Sequence, residues 1–70
     1  MPIAIAPLNT PLRVIRISSD PKVKKHLESL GITINSIITI LSSDGGNVII
    51  LVKAGRLALD KVIASTIFVC

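Results

Sequence analysis

The hydrophobic pattern of this chain consists mainly of short runs of β-branched residues that are separated by turn-forming residues. Such runs, spaced about 8 to 12 residues apart, predict strands. They lie at residues 12–17, 37–41, 48–52, 57–59 and 67–69. Residues 42–47 contain an Asp-Gly pair and a Gly-Asn pair, which supply the positive φ angles of a hairpin turn between the second and third runs. Ala54-Gly55 predicts a second turn, and residues 60–64 predict a single helical turn.

One segment has helical periodicity instead. Its apolar residues recur at i, i+4 and i+7 and form one stripe, made of Val23, Leu27 and Leu30. Asp20 can cap the free backbone N–H groups of a helix start, and Pro21 suits the first helical position. Gly31 can adopt the left-handed conformation that ends a helix. The pattern therefore predicts one short α-helix over residues 21–30.

Short strands combined with one short helix favour a small, highly curved β barrel. A flat sheet of this kind would leave long unpaired edges. Ile, Val and Leu make up 27 of the 70 residues, far above the level at which chains stay disordered. The single Cys cannot form an intramolecular disulfide, so the core must be aliphatic. We therefore expect one folded domain over residues 1–70.

Composition and charge argue against several classes of protein. No apolar stretch approaches the roughly 20 residues of a membrane span, and residues 1–7 lack the positive start and apolar run of an export signal. We therefore expect a cytoplasmic protein. The net charge of +4 is modest, and the absence of Trp and Tyr removes the usual stacking platforms for nucleic-acid bases. Nucleic acid is not a favoured partner.

The polar residues do not form a recognisable catalytic pattern. The single histidine, His26, flanks the apolar stripe of the predicted helix and is interpreted as a boundary residue. The four acids occupy cap, turn or helix-surface settings, and the glycines form no phosphate-binding loop. We predict no enzyme activity and no tightly bound cofactor. One His and one Cys cannot chelate a metal tightly in a monomer, but His26 or Cys70 from two protomers could give a weak divalent metal (iron) contact across a dimer.

Two surfaces are candidates for partner binding. The first is basic: Lys22, Lys24 and Lys25 on the predicted helix, with Arg13 and Arg16 nearby in sequence. It is either a solvated helix face or a patch that steers the protein to an acidic partner. The second is apolar: alternation predicts that Ile37, Ile49 and Leu51 point outward, and Val62 or Ile63 could extend this patch. These residues mark an interface unless a shift in strand register turns them inward.

The order of the elements, together with several short motifs, resembles the FeoA family of small cytosolic proteins of bacterial ferrous iron uptake. The resemblance covers nearly the whole chain. The matching segments are residues 13–17, 26–32, 45–47, Lys53 with 56–59, and Ala64 with 67–69. Asn9 and Asn35 stand where the family usually has glycine, and Asn is the other residue that best tolerates left-handed backbone. Gly55 lies one place after the position expected for the glycine of the second turn.

This resemblance implies an SH3-like barrel of about five strands with one short helix. It also implies a non-catalytic accessory protein that docks on the cytoplasmic part of FeoB, the membrane GTPase transporter of ferrous iron, and so lies at the inner face of the membrane through its partner. Homo-oligomers and domain swapping stay open. The alternatives are a regulatory module like the SH3-like domain of iron-dependent repressors, and a small basic nucleic-acid-binding barrel.

Overall fold

Five antiparallel strands form one sheet in the order β4-β3-β2-β1-β5 in the computed structural model, which describes residues 1–70. The strands are β1 (Pro11–Ile17), β2 (Ile37–Asp44), β3 (Asn47–Val52), β4 (Gly55–Leu59) and β5 (Ile67–Val69). The helices are α1 (Pro21–Ser29) and α2 (Lys61–Ala64), and a 3-10 helix spans Ile3–Ile5. The prediction of a mainly β fold with five strands and one short helix near residues 21–30 is confirmed.

The hairpin between β2 and β3 differs from the prediction in its connection. Residues 42–47 were expected to form the turn, but the strands continue to Asp44 and Asn47, which pair with each other. Only Gly45 and Gly46 remain in the turn, with φ angles of 59° and 92°. Two central residues with positive φ define the type I′ turn, whose twist matches that of the flanking strands. The strands extend into polar residues because backbone pairing does not require an apolar side chain.

Helix α1 begins at the predicted Pro21 and ends at Ser29, one residue before the prediction. The Val23 N–H donates to Asp20 Oδ1 over 2.8 Å, which caps the first turn. At the other end Gly31 has a φ angle of 94°, and the Ile32 N–H donates to the Leu27 carbonyl over 2.9 Å. The Leu27 side chain is fully buried and anchors the helix to the barrel.

Removing the cap of α1 is expected to destabilise the protein moderately. Asp20→Ala leaves the Val23 N–H without its acceptor, and the loss of such a cap costs about 1 kcal/mol. In a domain of this size that corresponds to a decrease in Tm of roughly 4–8 °C, measurable by circular dichroism. Asp44→Ala is the control, because it removes the same charge from an exposed strand end. Equal shifts in the two variants would mean that charge, and not capping, determines the loss.

The core contains only aliphatic residues and alanine. Sixteen residues are buried, and none of them is polar or charged. All five strands and both α-helices contribute, and so does the N-terminal segment, where Ile3 and Ala6 are buried. No structure was predicted for that segment. Asn9 and Asn35 have φ angles of 57° and 74°, so both hold the left-handed turns expected of them. The second turn lies at Lys53-Ala54 and not at Ala54-Gly55 as predicted: Gly55 begins β4, pairs with Val52 and has a φ angle of 127°.

Candidate functional site

The outer face of the sheet carries the side chains that point away from the core on β1 to β4. In β3 the residues alternate strictly, so that Val48, Ile50 and Val52 are buried whereas Ile49 and Leu51 are exposed. On β2 the exposed Ile37 precedes the buried Ile38. Cross-strand pairing places Leu51 between Thr39 of β2 and Arg56 of β4. The two strands therefore present their large aliphatic residues on one surface.

We call Ile37, Ile49 and Leu51 the outer patch. Their side chains are 59%, 43% and 44% exposed. Their predicted outward orientation is confirmed, and the alternative of a register shift that turns them inward is excluded. A bulge interrupts the pairing of β2 with β3 between Ile40 and Ser42. It lies beyond Ile37 and leaves the pairing of Thr39 with Leu51 intact. The role of the outer patch in binding stays a prediction.

The basic residues that were grouped from the sequence lie in three different places. Lys22, Lys24 and Lys25 lie on α1, where Lys22 and Lys25 are exposed and Lys24 is half-buried. Arg16 lies over the Phe68 ring of β5, with its guanidinium carbon 4.3 Å from the ring centroid. Arg13 is opposite Ile37 in the pairing of β1 with β2. Arg13 therefore belongs to the surface of the outer patch.

Arg56 was missed by sequence reasoning. It is exposed and lies opposite Leu51 in the pairing of β3 with β4. The missing information was the pairing register of these strands. Val52 pairs with Gly55 across a turn of two residues, and this register places Arg56 opposite Leu51. A two-residue turn at Lys53-Ala54 is the signal from which Arg56 could have been found.

A groove of about 670 Å³ separates α1 from β3, β4 and the hairpin tip. Eight of its thirteen lining residues are hydrophobic; among the lining residues are Leu27, Leu30, Val48, Leu57 and Ile63. His26 is exposed at this groove, so its interpretation as a boundary residue of the helix stripe agrees with its position. Ile49 lines the groove and also belongs to the outer patch, so the two apolar surfaces are continuous.

Two polar residues of the groove, Asp60 and Asn47, hold neighbouring backbone in place. Asp60 Oδ1 accepts a hydrogen bond from the Ile63 N–H over 2.9 Å and caps α2. Asn47 Oδ1 accepts one from the Lys61 N–H over 2.8 Å, which ties the hairpin to α2. Close to that bond, a Cβ at Gly46 would come within 2.8 Å of Lys61 Cγ. These contacts explain the presence of Asn47, Gly46 and Asp60 without a ligand.

The two weak candidates for metal binding lie on different elements. His26 is on α1, whereas Cys70 follows β5 and is exposed, with Sγ 3.9 Å from Nη2 of Arg13. No group of three or more His, Cys, Asp or Glu residues is arranged to hold a metal ion. A shared site across a dimer stays a prediction. Separately, none of the helices combines the length and the apolar character needed to cross a membrane.

This arrangement of five strands with α1 beside the barrel defines a small SH3-like domain. A family model described as "FeoA domain" matches residues 1–70. The chain therefore belongs to the FeoA family. No curated protein matches its sequence significantly. Family membership supports a role in ferrous iron transport.

Three solved structures resemble the chain over almost its whole length. A crystal structure named "Iron Uptake Regulatory Protein (FeoA)" matches with a TM-score of 0.87 and 26% identity, over 99% of this chain and 93% of that one. A FeoA-like protein from Clostridium acetobutylicum matches with a TM-score of 0.81 and 21% identity, over 100% and 84%. A manganese-dependent transcriptional repressor matches with a TM-score of 0.83 and 21% identity. The match covers 96% of this chain but only 39% of the repressor chain. At 21% identity the last two matches show the fold alone.

Proposed function

We propose that this chain is a non-catalytic cytosolic accessory protein of ferrous iron uptake that docks on the cytoplasmic part of the GTPase transporter FeoB and regulates it. Membership of the FeoA family supports the role in iron transport. The observation that carries the docking role is the outer patch, where three large aliphatic side chains are exposed together on paired strands. Contiguous exposed apolar surface of this kind marks interaction sites.

The energetics of the outer patch favour association. Fully burying an exposed Leu or Ile contributes about 1.5–3 kcal/mol, and these side chains are roughly half exposed. Covering all three would therefore contribute about 3 kcal/mol in total. Because the strands already hold these residues in place, little ordering is needed on binding. The outer patch is therefore preorganised for binding.

No catalytic or cofactor role is part of this proposal. The carboxylate of Asp60 and the amide of Asn47 are engaged in hydrogen bonds that support α2 and the hairpin. The proposed function is binding, with any chemistry performed by the partner. A weak iron contact at His26 or Cys70 is a separate question, which equilibrium dialysis with Fe²⁺ would answer.

The docking proposal is tested by calorimetric titration of the chain into the cytoplasmic domain of FeoB from the same organism, with and without guanine nucleotide. Leu51→Lys is expected to weaken binding at least about 10-fold, because it puts a charge in the middle of an apolar contact that must be desolvated. Circular dichroism should show an intact fold, since the side chain is exposed.

Val62→Lys is the matched control. Val62 is an exposed aliphatic residue on α2, outside the sheet, and its replacement adds the same charge. The affinity of the Val62→Lys variant for the FeoB domain should stay within about threefold of that of the unmodified chain. Saturable binding accompanied by a changed rate of GTP hydrolysis would support regulation. Absence of binding in every nucleotide state would refute docking on this domain, and equal effects of the two variants would refute the role of the outer patch.

A further inference from the structure

The outer patch lies between two arginines. Arg13 is the cross-strand neighbour of Ile37, and Arg56 is the cross-strand neighbour of Leu51. Both arginines are exposed. Their neighbours in the chain, Leu12 and Leu57, point to the core side, so Arg13 and Arg56 lie on the same face as the aliphatic residues. From β1 to β4 this face carries Arg13, Ile37, Leu51 and Arg56 along a diagonal, because Leu51 pairs with Thr39, two residues after Ile37.

The charge on this surface is not balanced within the chain. Strands β1 to β4 and their turns contain Arg13, Arg16, Lys53 and Arg56 but only one acid, Asp44. Asp44 pairs with Asn47 at the hairpin tip and lines the groove. The remaining acids cap or lie on the two helices. No acidic side chain is a cross-strand partner of either arginine that flanks the outer patch.

We infer that the outer patch and its two arginines form one docking surface for an acidic protein surface. That partner presents an apolar centre with a carboxylate on each side. Arg13 and Arg56 lie three strands apart and are displaced by two residues along the strand direction, so the two carboxylates are expected on a diagonal across the apolar centre. The guanidinium fork matches a carboxylate in two parallel hydrogen bonds, which gives orientation as well as attraction. This inference rests on the proposed docking function and names the face and the chemistry that docking uses.

Two other occupants fit the surface less well. A second copy of this chain placed by a two-fold axis would bring the same arginine-rich face against itself, and like charges oppose such contact. The lysines of α1 offer charge, but none of the large exposed hydrophobic side chains lies on that helix. The outer face of the sheet combines exposed arginines with three large exposed aliphatic side chains.

The test compares two double variants with the same net charge. Arg13→Glu with Arg56→Glu changes the outer face, and Lys22→Glu with Lys25→Glu changes α1. Each lowers the net charge by four, from +4 to 0. Both pairs are exposed, so circular dichroism should show folded proteins. Titration into the FeoB cytoplasmic domain is carried out at low and at physiological salt. We expect the affinity to fall at least about 30-fold for the outer-face pair and less than about threefold for the α1 pair.

The outcomes separate this inference from the docking proposal. If the unmodified chain does not bind, both are refuted. If it binds and the outer-face pair binds equally well, or if both pairs lose affinity equally, docking survives and the inference is refuted. The same holds if analytical ultracentrifugation shows a dimer that only the outer-face pair abolishes. Sedimentation with vesicles of phosphatidylcholine and phosphatidylglycerol supplies the last control, since binding lost with the outer-face pair would assign the surface to lipid.

Discussion

Replacing Ile50 with alanine is expected to lower the free energy of unfolding by about 2–5 kcal/mol, because the substitution leaves a cavity that the sheet cannot close. Ile50 is fully buried in the middle of β3 and pairs with Ile40 on one side and Leu57 on the other. The core of so small a domain supplies only about 3–5 kcal/mol. The variant should therefore be largely unfolded without denaturant. Since the chain has no Trp or Tyr, urea unfolding should be followed by far-ultraviolet circular dichroism.

The control is the next residue in the chain. Leu51→Ala removes the same number of carbon atoms from a side chain that is already half in water, and it should cost less than about 1 kcal/mol. The contrast between two adjacent residues tests which face of β3 points inward. Comparable losses at both positions would show that Leu51 is part of the core and would remove the basis of the docking surface.

The strands and α1 could be predicted from the sequence because local chemistry and burial agree there. Asp20, Pro21 and Gly31 each have a backbone reason to stand at the ends of α1, and the structure uses all three as expected. The alternation in β3 reports burial directly, since Ile49 and Leu51 are exposed between buried neighbours. Where a residue's side chain and its backbone setting point to the same structure, one sequence is enough.

The N-terminal segment and the hairpin were harder because their structure depends on distant residues. Ile3 lies among proline and alanine in a stretch without periodicity, and only contacts with residues far along the chain bury it. In the hairpin, Ser42 and Ser43 have typical turn chemistry, yet they pair with Ile49 and Val48. The type I′ turn at the two glycines determines this pairing, and it overrides the preference of the serines.

The candidate surface also has one part that could be predicted from the sequence and one part that could not. The outward orientation of Ile37, Ile49 and Leu51 followed from alternation alone. The grouping of charges did not, because neighbours in sequence need not be neighbours in a sheet. Arg13 was grouped with the lysines of α1 but lies beside Ile37, and Arg56 is distant in sequence from both. The register of Arg56 follows from a short turn, but that of Arg13 depends on pairing between β1 and β2, which α1 separates in sequence.

The second large effect is expected at the N-terminal segment, where Ile3→Ala should lower the free energy of unfolding by about 2–5 kcal/mol. Ile3 is fully buried, and its 3-10 helix lies against β3, β5 and α2. Its side chain therefore fills space that three other elements share. Loss of this contact removes a link between segments that are far apart in the chain. Urea unfolding followed by circular dichroism measures the change.

Ile5→Ala is the control within the same turn of 3-10 helix. Ile5 is 74% exposed, so its truncation should change the stability by less than about 0.5 kcal/mol. Both variants keep the backbone of the segment. They differ only in whether a buried or an exposed side chain is truncated. A small loss at Ile3, equal to that at Ile5, would mean that the segment packs on the barrel without stabilising it. A large loss at Ile3 alone would show that the N-terminal segment closes the core, because no strand side chain takes the place of Ile3.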